Sequence, residues 1–127
     1  MKKITRLTKA EEQVMQILWK MEKGLVKDML SRFQDPVPAY NTVSTIIRIL
    51  EKKGFVDHKA YGNTYEYFPV VSKEEYTREH FADFLKNYFD DSFPALALFF
   101  AKENDLSLPD LEEILRMAGK EMHQPKK

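Results

Sequence analysis

Residues 38–55, PAYNTVSTIIRILEKKGF, assign apolar and polar side chains to opposite sides of one helix. Val43, Ile46, Ile47 and Leu50 recur at i, i+3, i+4 and i+7, a single apolar stripe. At 100° per residue, Asn41, Ser44, Thr45, Arg48 and Lys52 fall within an arc of about 100° on the far side. An ordinary surface helix would fill that arc with Glu and Lys. Small hydrogen-bonding groups with one long cation instead suit a helix pressed against something flat and polar. Gly54 ends the run.

The flanking segments define what this helix belongs to. Thr8-Lys9-Ala10-Glu11 has the form of a capping box, so a helix is predicted to start at Thr8. Ala10, Val14, Ile17, Leu18 and Met21 give it a helical apolar face, and Gly24 is the predicted stop. A short second helix is predicted from Leu25 to Phe33, burying Val26, Met29, Leu30 and Phe33. Asp35-Pro36-Val37-Pro38 cannot continue it, because each proline disfavours helical geometry in the residue before it. After Gly54, residues 55–61 read as a strand, Gly62-Asn63 as a turn and residues 64–69 as a second strand, in which Tyr65, Tyr67 and Pro69 alternate with Thr64, Glu66 and Phe68. Three helices followed by a β-hairpin make a winged helix-turn-helix over residues 1–71, with the third helix as reader and the hairpin as wing.

Residues 72–122 read as a helical region. Ser72-Lys73-Glu74-Glu75 is a second capping box, and a long helix is predicted to run to about Asp90 with Tyr76, Phe81, Phe84, Leu85, Tyr88 and Phe89 as its apolar residues. Asp91-Ser92 breaks it, residues 93–101 form a short and very apolar helix, and Ser107-Leu108-Pro109-Asp110 caps a last one carrying Leu111, Ile114, Leu115 and Ala118. Residues 123–127 are predicted to fray. The fold class is therefore mainly α, a winged helix followed by a helical module. So small a segment buries little of itself. Its rings are accordingly expected to pair two copies of the chain, through Phe81, Phe84, Leu85, Tyr88, Phe89, Leu96, Phe99, Phe100, Leu111 and Leu115. The alternative is that they pack on their own wing domain.

A net charge of zero conceals a division: residues 1–71 hold 12 basic and 8 acidic side chains, residues 72–127 hold 8 and 12. Only the front half is suited to a polyanion. A major groove admits a helix whose side chains are short enough for the backbone to approach, with a donor fork able to reach guanine. Asn41, Ser44 and Thr45 meet the first demand near the helix N-terminus, where penetration is deepest, and Arg48 meets the second or binds a flanking phosphate. Lys52 and Lys53 lie toward the sugar-phosphate backbone. His58, Lys59, Tyr61 and Asn63 on the wing, with Arg6 and Lys9 at the start of the first helix, complete the expected contacts. The same arc on a protein partner, giving an interaction module, is the alternative; a metal-responsive regulator is a further one.

Other classes find little footing. His58, His80 and His123 are scattered, with no metal-ligand spacing such as HExxH. Glu75, Glu79 and Asp83 beside His80 read as a solvated acidic face rather than a hard-cation site. The four glycines stand at turns, not in a phosphate loop. No Ser-His-Asp or Cys-His arrangement suggests an enzyme, and no cofactor or metal is expected. Trp19 reads as a core or groove-lining ring. The absence of cysteine fits a reducing cytoplasm. The chain starts without an apolar leader, and no apolar run approaches the roughly 18–20 residues of a bilayer span.

Leu7-Thr8-Lys9-Ala10-Glu11, Val14-Met15, Ile17-Leu18-Trp19, Tyr40-Asn41-Thr42-Val43-Ser44-Thr45, Leu50-Glu51-Lys52-Lys53-Gly54-Phe55 and Tyr65-Glu66-Tyr67-Phe68-Pro69 resemble, in order, the motifs of the penicillinase-repressor family (BlaI, MecI and CopY type). The likeness is strong over about the first 75 residues and looser beyond, through Leu106 to Leu111. It adds Tyr40 and Thr42 to the expected DNA contacts. The resemblance implies a dimeric repressor on palindromic operators, with a role in antibiotic resistance. In the family a membrane sensor-protease that detects β-lactams leads to cleavage of an Asn-Phe bond in the dimerisation region; the aligned pair here is Phe99-Phe100. Copper-responsive relatives carry a C-terminal cysteine motif, which this chain lacks.

Overall fold

In the computed structural model, residues 4–122 are described, with side chains through Lys120. The order is α1 (Lys9–Met21), α2 (Val26–Leu30), α3 (Tyr40–Lys52), β1 (Val56–Tyr61), β2 (Thr64–Pro69), α4 (Lys73–Phe89), α5 (Phe93–Glu103) and α6 (Leu108–Met122). The chain divides into two compact units, one through Phe81 and one from Ala82. The tail, residues 123–127, lies outside the described residues.

The first unit is a winged helix built on one core. Val14, Met15 and Leu18 of α1, Val26 and Met29 of α2, Val43, Ile47 and Leu50 of α3, and Phe55, Val56 and Tyr67 of the hairpin are buried together. The capping box at Thr8 is complete, Thr8 Oγ1 accepting from Glu11 N–H and Glu11 Oε1 accepting from Thr8 N–H. β1 and β2 pair antiparallel with His58 opposite Tyr67 and Ala60 opposite Tyr65. Gly62 takes φ +64° in the turn and Gly54 takes φ +86° just beyond α3, backbone that a side chain would strain.

Four local expectations are corrected. Ala10 is exposed while Met15 is buried, because the buried stripe of α1 runs through Glu11, Val14, Met15 and Leu18 and Ala10 is turned away from it by about 100°. The stop of α1 is Glu22, at φ +71°. Gly24 instead exchanges backbone hydrogen bonds with Tyr67 at 2.9 and 2.8 Å, stitching the α1–α2 connection to the wing. α2 is shorter than residues 25–33. After Leu30 the amides of Arg32 and Phe33 reach back only three residues, and Ser31 Oγ donates to the Asp28 carbonyl, competing with the helical ladder. Leu30 and Phe33 are half-buried against the core. At the other end of the chain, α5 continues to Glu103.

The first unit also claims the start of α4, extending to Phe81 where the sequence suggested a boundary after Val71. Tyr76 explains this. Its ring packs against Trp19 and Phe55, with centroids 6.0 and 5.8 Å apart, and its hydroxyl accepts from Leu7 N–H at 3.0 Å. Trp19 Nε1 donates to the Val71 carbonyl at 2.9 Å, so that ring is a core-edge anchor.

The second unit comprises the rest of α4 with α5 and α6. Asp90 and Asp91, at φ +50° and +62°, end α4. Ser92 caps α5 and the Ser107–Asp110 pair caps α6. Phe89 lies between Phe84 and Phe99, with centroids 5.9 and 5.6 Å away. No described side chain of this unit is fully buried. Among the described residues no helix is long and apolar enough to cross a membrane.

Candidate nucleic-acid interface

The apolar stripe of α3 is sunk in the core, with Ile46 partly buried at its edge, and that fixes which way the rest of the helix points. Asn41, Thr42, Thr45, Arg48 and Lys52 are exposed and Ser44 is half-exposed. The helix start carries no side-chain cap: Ala39 occupies the capping position, whereas Thr8, Ser72, Ser92 and Ser107 accept first-turn amides elsewhere. Uncapped N–H groups at the positive end of a helix suit a phosphate oxygen.

A polar groove runs beside this helix. It is lined by Leu25, Val26 and Lys27 of the α2 start, by Tyr40, Ser44 and Arg48 of α3, and by Asn63, Thr64, Tyr65 and Tyr67 of the wing. The fold thus brings together four of the residues expected to meet DNA, Tyr40, Ser44, Arg48 and Asn63. It adds Lys27, Thr64 and Tyr65, which periodicity did not mark because each belongs to the groove only through tertiary packing. Burial, and then the Glu51 carboxylate, push the Tyr67 phenol up from its ordinary value, so it remains neutral at the floor of the groove.

Other expected residues stand elsewhere. Lys59 and Tyr61 occupy the hairpin face opposite the one carrying His58, Tyr65 and Tyr67, with Lys59 Nζ 5.7 Å from the Tyr61 ring centre. Arg6 lies 3.5 Å from His80 Nε2, and Lys9 is exposed in the first turn of α1; neither lines the groove. Lys53 is corrected from a phosphate contact to a structural one. Its ammonium donates to both Glu11 oxygens, at 2.8 and 3.0 Å. Burial pushes the Glu11 carboxyl up, but Lys53 and the Thr8 amide outweigh this and hold it below the usual carboxylate value. His58 is likewise engaged: its Nδ1 lies 2.6 Å from Glu51 Oε2 and its ring stacks on Tyr65 at 4.2 Å. Glu51, Asp57 and His58 present one donor atom each within 4.8 Å of one another, a set able to hold a metal ion. Within the fold, the Glu51–His58 pair links the end of α3 to the wing, and Asp57 Oδ1 accepts from the His58 amide at 2.8 Å.

The residues expected at a dimer interface divide between the units. Phe81 ends the first and is exposed; in the second, Phe84, Leu85, Phe89, Leu96 and Leu111 are half-buried. Tyr88, Phe99, Phe100 and Leu115 are exposed, Tyr88 and Leu115 to 71% and 70%. Phe99-Phe100 lies in the interior of α5.

Known proteins share this arrangement. A structure described as the DNA-binding domain of the repressor BlaI superposes with a TM-score of 0.51 at 27% identity, covering 60% of this chain and 94% of that one. The monomeric form of Bacillus licheniformis BlaI, in complex with the blaP half-operator, gives 0.50 at 27% identity with the same coverage. In sequence the chain is 27% identical over 121 residues to the methicillin resistance regulatory protein MecI of Mammaliicoccus sciuri, covering 93% of this chain and 97% of the relative. It is 23% identical over 127 residues to the penicillinase repressor of Bacillus licheniformis, covering 99% of both. The model of the family described as penicillinase repressor matches residues 7–120. A match of that length runs through both compact units, and the chain belongs to the penicillinase repressor family.

Proposed function

We propose that this chain, a DNA-binding repressor by family, holds double-stranded operator DNA through the polar arc of α3 and the groove between α3 and the wing. The observation that carries the reading is the two-sidedness of α3. One side is locked into the core, and the other presents Asn41, Thr45, Arg48 and Lys52 beside a groove lined by Lys27, Asn63 and Tyr65. Asn41, Ser44 and Thr45 are short enough to admit the helix backbone to the major groove, and Arg48 carries the donor fork for guanine or phosphate. Thr42 and Tyr40 border the first turn, and the wing meets the flanking backbone through Asn63 and Thr64.

The partner of the second unit is another copy of the chain. Apolar side chains on α4, α5 and α6 that one copy leaves exposed, Tyr88, Phe99 and Leu115 among them, support that pairing. Two reader helices would then enter successive major grooves about 34 Å apart. Such a dimer over a promoter excludes polymerase in the cytoplasm, without catalysis. Any signal that parts the copies removes avidity worth a factor of ~10² or more, including proteolysis set off by a membrane sensor. A protease acting at Phe99-Phe100 would first have to unwind α5.

Fluorescence anisotropy on duplex DNA at graded salt tests the reading. Binding should weaken steeply, with a log-log slope of about −0.9 per phosphate contacted. A surface built for a protein partner would leave any weak DNA affinity almost indifferent to salt, and that outcome would overturn it.

A further inference from the structure

Ile49 is the aliphatic side chain of α3 that the core does not take. Val43, Ile47 and Leu50 are fully buried and Ile46 packs at the core edge, yet Ile49 is 39% exposed. On the helix it continues the i, i+4, i+8 ridge of Asn41 and Thr45. It shares a shallow surface hollow with Thr45, Arg48, Glu51 and Lys52. A β-branched residue at an exposed helical position has lower helix propensity than the Lys, Glu or Arg around it. Ile49 is not among the partly buried side chains that pack against the core. One aliphatic group therefore borders the polar arc, about 40° beyond Thr45 around the helix.

In the major groove the aliphatic feature of a base pair is the C5-methyl of thymine. We infer that Ile49 is a specificity residue that packs against a thymine methyl. Eight residues separate it from Asn41, about 12 Å along the helix, so this thymine lies about two to four base pairs from the base that Asn41 meets. The inference rests on the DNA reading proposed above, and it names a residue and a base that reading does not.

The test uses the full chain and duplexes enriched from a randomised pool by binding to it. Each thymine of the enriched sequence is replaced in turn by 2′-deoxyuridine, which removes the methyl and leaves base pairing intact. At one thymine per half-site, wild-type binding should fall about fourfold, the worth of one buried methyl. Ile49→Ala should bind the thymine duplex more weakly by at least that factor and no longer distinguish thymine from uracil there, while responses at other thymines persist. Ile49→Val, which keeps the branch methyls, should retain the discrimination, and circular dichroism melting should show both variants folded. If duplexes are enriched but Ile49→Ala discriminates as the wild type does, this inference fails and the DNA reading stands. If no sequence is enriched, the DNA reading fails and this inference with it.

Discussion

The two compact units solve the same problem, covering apolar surface, to different extents. The first closes a core from α1, α2, α3, the hairpin and the first turns of α4, leaving a dozen apolar side chains almost without solvent. The second has three helical segments, α5 and α6 each side-chain capped, with no described side chain fully buried. Two residues of α4 show the contrast within one helix. Tyr76 is 6% exposed and hydrogen-bonded, while Tyr88, three turns on, is 71% exposed. Local helix signals are alike in both units; what differs is how much apolar surface each covers by itself.

That contrast is open to attack at several points. The heaviest blow falls on Tyr76→Ala, which should destabilise the first unit by about 3–5 kcal/mol through the cavity and the amide of Leu7 left unpaired. Tyr88→Ala should leave the melting of that unit within about 0.5 kcal/mol and instead weaken self-association in sedimentation. Equal melting losses would erase the distinction. Next is a chain ending at Phe81, which should remain folded and monomeric and lose a factor of ~10² or more in affinity for a two-half-site duplex. A fragment that binds as tightly as the whole protein would show the second unit to be dispensable. Ending the chain at Ser72 should do more harm to folding, since Tyr76 goes with it.

Arg48→Ala moves to the reading surface. A loss of about 1–3 kcal/mol confined to one base position would mark a guanine contact, and an even loss across sequences a phosphate one. Unchanged affinity would remove Arg48 from the interface. The smallest effect concerns acid. Glu11 is held below the usual carboxylate value, so its pairing with Lys53 stabilises the fold fully above the carboxylate range of the unfolded chain. That contribution disappears as pH falls through the lower folded value. Glu11→Gln should cost about 1–2 kcal/mol near neutrality and flatten the acid limb of the stability profile; a variant with the wild-type acid limb would refute the assignment.

Much of the first unit was readable because its signals are local. The stripe of α3 is a period, the Thr8 and Ser72 boxes are spacings, and Gly62-Asn63 sits between alternating runs; each is enforced within a few residues. The misreadings share the opposite property. Nothing near Tyr76 separates it from Phe81 or Tyr88, because its partners are Leu7, Trp19 and Phe55, distant in sequence. Lys53 reads like Lys52 until Glu11 is brought to it across the fold. Lys27 and Tyr65 join the groove only when α2 and the wing meet beside α3. Glu22 ends α1 in a conformation more often given to glycine, and composition offers no warning of that.

The clasp between Glu51 and His58 joins the last turn of α3 to the first residues of the wing. Helix and hairpin are therefore set against each other before any duplex arrives. The loss of freedom needed to align them falls on folding rather than on docking. A preorganised cleft of this kind concentrates its discrimination in how long a duplex stays rather than in how often it is captured.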